Sequence, residues 1–79
     1  MERPPATTYL VNGAAIRIRR MQLGLNLAEC AAQAGISRAY LAQLELGHRR
    51  NPRPPTYHRL CTALRIEPSD HRLLAPPEE

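Results

Sequence analysis

Gly35-Ile36-Ser37-Arg38-Ala39-Tyr40-Leu41-Ala42-Gln43-Leu44-Glu45-Leu46-Gly47 is the stretch from which the rest of this 79-residue chain is best understood. At 100° per residue, Leu41 and Leu44 share one side of a helix running from about Arg38 to Leu46. Ala39, Ala42, Gln43 and Leu46 lie roughly opposite, with Arg38 at the leading edge. A surface helix with a structural role alone usually fills its outer face with long charged side chains. Here that face offers two alanines, one arginine and one glutamine. Small residues let a backbone approach a partner closely, while Arg and Gln make paired hydrogen bonds to base edges. Ser37 is placed to cap the helix start and Gly47 to end it in a left-handed conformation. The pattern points to a helix built to read DNA.

Working outward, the chain divides by its breakers. Residues 1–12, with Pro4-Pro5 and Thr7-Thr8, show no helical period and are expected to form a flexible arm. A first helix fits Gly13 to Leu23, with Ile16, Arg20 and Leu23 on one face and Arg17 and Arg19 exposed. Gly24 breaks it. Asn26 caps a second helix from Leu27 to Ala34, whose Cys30, Ala31 and Ala34 form an apolar stripe before Gly35. After the third helix, the prolines of His48-Arg49-Arg50-Asn51-Pro52-Arg53-Pro54-Pro55 keep that segment out of helix. Thr56 is expected to cap a fourth helix with Tyr57, Leu60, Cys61 and Leu64 inward. Pro68 is expected to open a short fifth helix through Leu74. Residues 75–79 are expected to form a frayed tail. No strand pattern competes, so the fold class is all-α, five helices around one core.

Composition narrows the function. The chain has room for one core and no second. No stretch approaches the roughly 18–20 apolar residues of a membrane span, and the first residues lack the apolar run of a secretory signal, so a cytoplasmic protein is expected. Cys30 and Cys61 fall at apolar helical positions and read as reduced core thiols. With His48, His58 and His71 they make no metal-ligand spacing, and no nucleophile stands at a meaningful spacing from a base. Neither a metal, a cofactor nor an enzyme is expected. The net charge is +4, and its distribution says more: nine arginines from Arg3 to Arg59 face two acids, Glu29 and Glu45. A body of such charge suits phosphate. All eleven basic residues are arginine; this favours planar contacts, although a GC-rich genome gives the same bias.

The residues Ile16-x-x-x-Arg20, Gly24-Leu25, Ala28-Glu29-x-Ala31, Ala34-Gly35-Ile36-Ser37, Tyr40-Leu41-x-x-Leu44-Glu45-x-Gly47 and Leu60-x-x-Ala63-Leu64 resemble the helix-turn-helix family of lambdoid phage repressors and Cro proteins. The resemblance spans residues 13–74 and implies a lambda-repressor-like DNA-binding domain, its third helix in the major groove and its second across the backbone. It assigns Arg38, Ala39 and Gln43 to base contacts: guanine for Arg38, adenine for Gln43 and a thymine methyl for Ala39. Asn26, the backbone amide of Leu27, Arg49, Arg50 and Arg53 fall to phosphate. Tyr40 fits either a phosphate bond or core packing. Arg3 is a weaker candidate for the minor groove. Arg20 and Glu45 match a partly buried ion pair, with Arg20 also facing a phosphate.

Two departures stand out. Leu27 replaces the glutamine that usually opens the second helix, removing a side-chain clamp, and Cys30 replaces the usual leucine. The implied function is a sequence-specific regulator of transcription, a repressor, binding an operator as a homodimer through the segment from the fourth helix onward. It would work at the bacterial nucleoid. The alternatives are an antitoxin-type module that binds a protein toxin, or a restriction–modification controller.

Overall fold

Three of the four α-helices start on a side chain that accepts a hydrogen bond from an amide in the helix's own first turn. The structure, a computed structural model, describes residues 10–67 and 69–74. Helix α1 (Gly13–Gln22) opens on Asn12, whose Oδ1 accepts from the Ala15 amide at 3.3 Å. Helix α2 (Leu27–Ala34) opens on Asn26 with a reciprocal pair of bonds. The Glu29 amide donates to Asn26 Oδ1 at 2.7 Å, and the Asn26 amide donates to Glu29 Oε1 at 2.8 Å. Helix α3 (Arg38–Leu46) opens on Ser37, whose Oγ accepts from the Tyr40 amide at 3.0 Å. Such caps contribute about 1 kcal/mol each, enough to place the start of helices this short.

Helix α4 (Pro54–Ala63) differs from the sequence expectation. Thr56 does not cap it. Arg53 does, through its backbone alone, and Pro54 and Pro55 occupy the first turn. Proline fits there because the amide it lacks would have no partner inside the helix, and its fixed φ is already helical. Where a fifth helix is expected, the described residues show one 3-10 turn, His71–Leu73; Pro68 and the tail 75–79 lie outside them. The expected arm 1–12 is also shorter at its inner end. Val11 is buried, its amide donates to the Arg50 carbonyl at 2.9 Å, and the Asn12 amide donates to the Leu73 carbonyl at 2.8 Å. An isolated antiparallel bridge, Val11 to Leu74, is the extended pairing these bonds produce. Residues 1–9, with Arg3, lie outside the described residues.

Helix α2 packs on α4 and on α3, while α1 crosses α3. Ile16, Leu41, Leu44, Leu60, Leu64 and Leu73 are fully buried, each contributing about 1.5–3 kcal/mol of apolar transfer. Cys30 and Cys61 are buried free thiols among them. Burial pushes both thiols up from their ordinary range; the Glu45 charge adds to this at Cys30, and Tyr57 opposes it at Cys61 by hydrogen bonding.

The α1–α3 crossing is held twice. A Cβ on Gly13 would fall on the carbonyl oxygens of Leu44 and Glu45, so only glycine allows this approach. Two turns along α1, Arg20 Nε donates to Glu45 Oε2 at 2.7 Å and Nη2 to Oε1 at 3.0 Å, while Nη1 donates to the Leu25 carbonyl at 3.0 Å. The side chains are 13% and 6% exposed, which makes this a partly buried, two-pronged ion pair. The hydrogen bond and charge of Glu45 raise the Arg20 pKa further.

Two substitutions test the crossing. Gly13→Ala gains about 1 kcal/mol of helix propensity but drives a methyl into backbone, for an expected net loss of about 1–3 kcal/mol in denaturant unfolding; an unchanged midpoint overturns the close-packing argument. Glu45→Gln strands the Arg20 charge and is expected to cost about 3 kcal/mol, with equal melting temperatures as the contrary result. For the thiols, the folded value is raised, so their contribution is intact below the unfolded value of about 8.5. It is lost as pH rises above that point. Neither cysteine should react with a thiol reagent at pH 8 until urea unfolds the chain; prompt labelling of the native protein would contradict their burial.

Candidate nucleic-acid interface

The outer face of α3 is set by what its inner face buries. Leu41 and Leu44 are fully enclosed, which turns Arg38, Ala39 and the 70%-exposed Leu46 outward and leaves Ala42 and Gln43 half-buried at the edges. The side chains of Arg38 and Gln43 have no hydrogen-bond or ionic partner among the described residues. Tyr40 is half-buried and packs against the core rim.

The loop after α3 is tied to it by backbone. The Gln43 carbonyl accepts from the amides of His48 at 2.9 Å and Arg49 at 3.1 Å. Gly47, at φ 83°, makes this reversal possible where a side chain would be strained. Arg50 is fixed at its carbonyl by Val11. The basic segment is therefore positioned by its main chain, and its guanidinium groups stay outside. Sequence reading missed these ties, because they are made by backbone groups that every residue carries.

Two open hollows flank α3. One, of about 570 Å³, is lined by Tyr40, Gly47, His48, Arg49, Arg50 and Asn51, with Leu10 at its edge. The other, about 530 Å³, lies on the opposite side, around Ala42 and Leu46, and reaches Leu27 and Arg20. The expected phosphate residues are thus split: Tyr40, Arg49 and Arg50 meet in the first hollow, and Arg20 and Leu27 in the second. Arg53 lines neither and stands exposed at the start of α4. Asn26 is exposed, with its oxygen committed to the Glu29 amide. The amides of Leu27 and Ala28 have no partner among the described residues.

The arginines sort into two groups. Arg19, expected on the surface, is half-buried: its Nε donates to the Leu64 carbonyl at 3.0 Å and its Nη2 to the Arg65 carbonyl at 3.4 Å, which closes the end of α4. Arg59 does the same for α2, donating to the Ala34 carbonyl at 3.2 Å. A cation at a helix C-terminus is favourable there. Arg20 is engaged through all three nitrogens, and Arg72 pairs with Asp70 at 3.0 Å. Arg17, Arg38, Arg49, Arg50, Arg53 and Arg65 have no side-chain partner among the described residues. Five of these six lie on α3, on its following loop or on the α1 face beside it. Glu29 and Glu45, the two acids in the same part of the chain, are both bonded inside the protein.

No helix among the described residues is long and apolar enough to cross a membrane.

Comparison with known proteins agrees with this geometry. Residues 13–74 match the family described as helix-turn-helix domain. None of the curated protein sequences matches the chain. Among solved structures, the restriction–modification controller protein C.AhdI from Aeromonas hydrophila is 35% identical. The match covers 72% of this chain and 85% of that one, with a TM-score of 0.67. The P22 c2 repressor, solved with a synthetic operator, is 30% identical over 77% of this chain and 89% of its own, with a TM-score of 0.69. SinR, described as the master regulator for biofilm formation and solved in complex with DNA, is 26% identical over 72% and 90%, with a TM-score of 0.68. By sequence and by fold, the chain belongs to the helix-turn-helix family of the Cro and C1 repressor type.

Proposed function

We propose that this chain is a sequence-specific double-stranded DNA-binding regulator of transcription, acting as a repressor at the bacterial nucleoid. Residues 13–74 form the binding unit, with the 3-10 turn standing where the resemblance puts a fifth helix. Helix α3 enters the major groove. Arg38 reads guanine and Gln43 adenine, each through paired hydrogen bonds, and Ala39 lies against a thymine methyl. Tyr40, Arg49, Arg50 and Arg53 hold phosphates on one side of the groove, and the Asn26 side-chain amide with the free amides of α2 does so on the other. Arg20, bonded through all three of its nitrogens, braces α3 and has only the second N–H of each terminal nitrogen left for phosphate. The observation that carries this reading is the unpartnered Arg38 and Gln43 on a helix flanked by unpaired arginines.

The protein acts as a homodimer on a two-fold related site, through the segment from α4 onward. A restriction–modification controller is the second reading, favoured by the 35% identity to one such protein. It keeps the same DNA chemistry and changes only the genes served.

Selection of bound duplexes from a random pool tests the proposal. The wild-type chain should enrich an inverted repeat. Arg38→Ala is expected to lose preference at one base pair of each half-site, worth about 1–3 kcal/mol. Arg50→Ala should weaken all sequences alike and lower the slope of log affinity against log salt by about 0.9. No enriched sequence, or the same effect from both variants, would overturn it.

A further inference from the structure

In the hollow beside α3 that contains Leu27, the contacts assigned so far come from backbone amides and the spare N–H groups of Arg20, and no free side-chain cation has been given a role there. Ala14 and Arg17 of α1, Leu27 of α2 and Ala42 and Leu46 of α3 stand around the Arg20–Glu45 pair, enclosing about 530 Å³ of open space. Its walls are mostly apolar, and its one guanidinium without a partner among the described residues is Arg17. Leu46 is 70% exposed on its rim. An arginine beside an exposed apolar wall combines a cation with a hydrocarbon surface, and its own methylenes can lie along that wall.

We infer that this hollow seats one deoxyribose–phosphate unit of the DNA backbone, with Arg17 as the phosphate ligand. The inference rests on the DNA-binding reading of α3. A groove-bound α3 brings sugar–phosphate backbone past both of its sides. On the Tyr40 side, Arg49 and Arg50 supply the positive charge. On the Leu27 side, Leu27 has no polar side-chain atom to offer, and Arg20 is engaged by Glu45 and the Leu25 carbonyl. Arg17 is the charge left to meet a phosphate there. The apolar walls suit the carbon face of a deoxyribose, which needs no hydrogen bond. Helix α1 thereby becomes a third element of the interface. The fixed α1–α3 crossing holds Arg17 in register with the reading helix, so its phosphate contact adds affinity at a fixed place beside the groove without taking part in base readout.

The test measures binding of a duplex selected with the wild-type protein, at salt concentrations from 50 to 200 mM. Arg17→Gln is expected to lower the salt slope by about 0.9, so that affinity falls about three- to fourfold less across that range. Arg17→Lys should keep the slope. Base preferences in pool selection and the melting temperature should stay as in the wild type. Among the phosphates whose ethylation interferes with wild-type binding, one per half-site should fall silent in Arg17→Gln while the others persist. Arg72→Gln, which removes an equal charge from an exposed pair with Asp70, should change neither slope nor ethylation pattern. An Arg17→Gln slope and ethylation pattern equal to wild type overturns the inference while leaving the DNA-binding reading intact, as does an equal drop in Arg72→Gln. Failure of the wild-type chain to bind any duplex overturns both.

Discussion

The partly buried contact of Arg20 with Glu45 is the constraint on which the geometry of this protein depends. It acts on the last turn of α3, as does the close approach of Gly13 to the carbonyls of Leu44 and Glu45. With that turn fixed, the Gln43 carbonyl is fixed, and it receives the two amides that start the basic loop. The loop's Arg50 carbonyl then holds Val11, and the next residue, Asn12, bonds Leu73. One contact between residues 25 apart in sequence is thus passed through backbone bonds to the basic loop and on to Val11, Asn12 and Leu73. A helix that slid or rolled by a few degrees would misplace every side chain on its outer face.

The distribution of charge follows from the same economy of partners. A +4 chain of this size is expected to be soluble with its cations solvated at random. Here four of the arginines are spent on structure: two close helix C-termini, one braces α3 and one pairs with an aspartate. Of the two acids in this part of the chain, Glu45 is paired with Arg20 and Glu29 is held at the start of α2 by the Asn26 amide. What remains is a local excess of unpaired guanidinium groups on one surface, much stronger than the net charge suggests. Arginine suits both uses, since the same planar fork caps carbonyls and binds phosphate.

Much of this was legible in the sequence, for a reason that differs between parts. The four ends of α2 and α3 were readable because Asn26, Ser37, Gly35 and Gly47 act within a few residues of themselves. The α3 faces were readable because period alone decides which side the leucines bury. The start of α4 was not, because proline both breaks a helix and begins one, and only the packing of Tyr57 and Leu60 tells the two apart. Arg19 and Arg17 looked alike as surface arginines. They differ because Arg19 meets the end of α4 and Arg17 faces α3, a distinction made by tertiary packing. Val11 was read with the arm because one buried residue carries no period.

The number of reading side chains bears on the proposed assembly. In the proposed complex, Arg38 and Gln43 each offer one paired contact, worth about 1–3 kcal/mol of discrimination, so a single copy would gain about 4 kcal/mol. At about 1.4 kcal/mol per factor of ten, that is three orders of magnitude. A genome offers about a million or more competing sites, so one α3 leaves the protein scattered over non-specific DNA. Two copies on a two-fold site double the discrimination to about 8 kcal/mol, near six orders of magnitude, which meets the lower bound. The loss of the glutamine clamp at Leu27 makes this sharper, because no third polar side chain supports Gln43 from α2. On the proposed reading, a reader with so few letters needs a partner copy for specificity, while the proposed phosphate contacts from the loop and from α1 would supply affinity without adding to the selection.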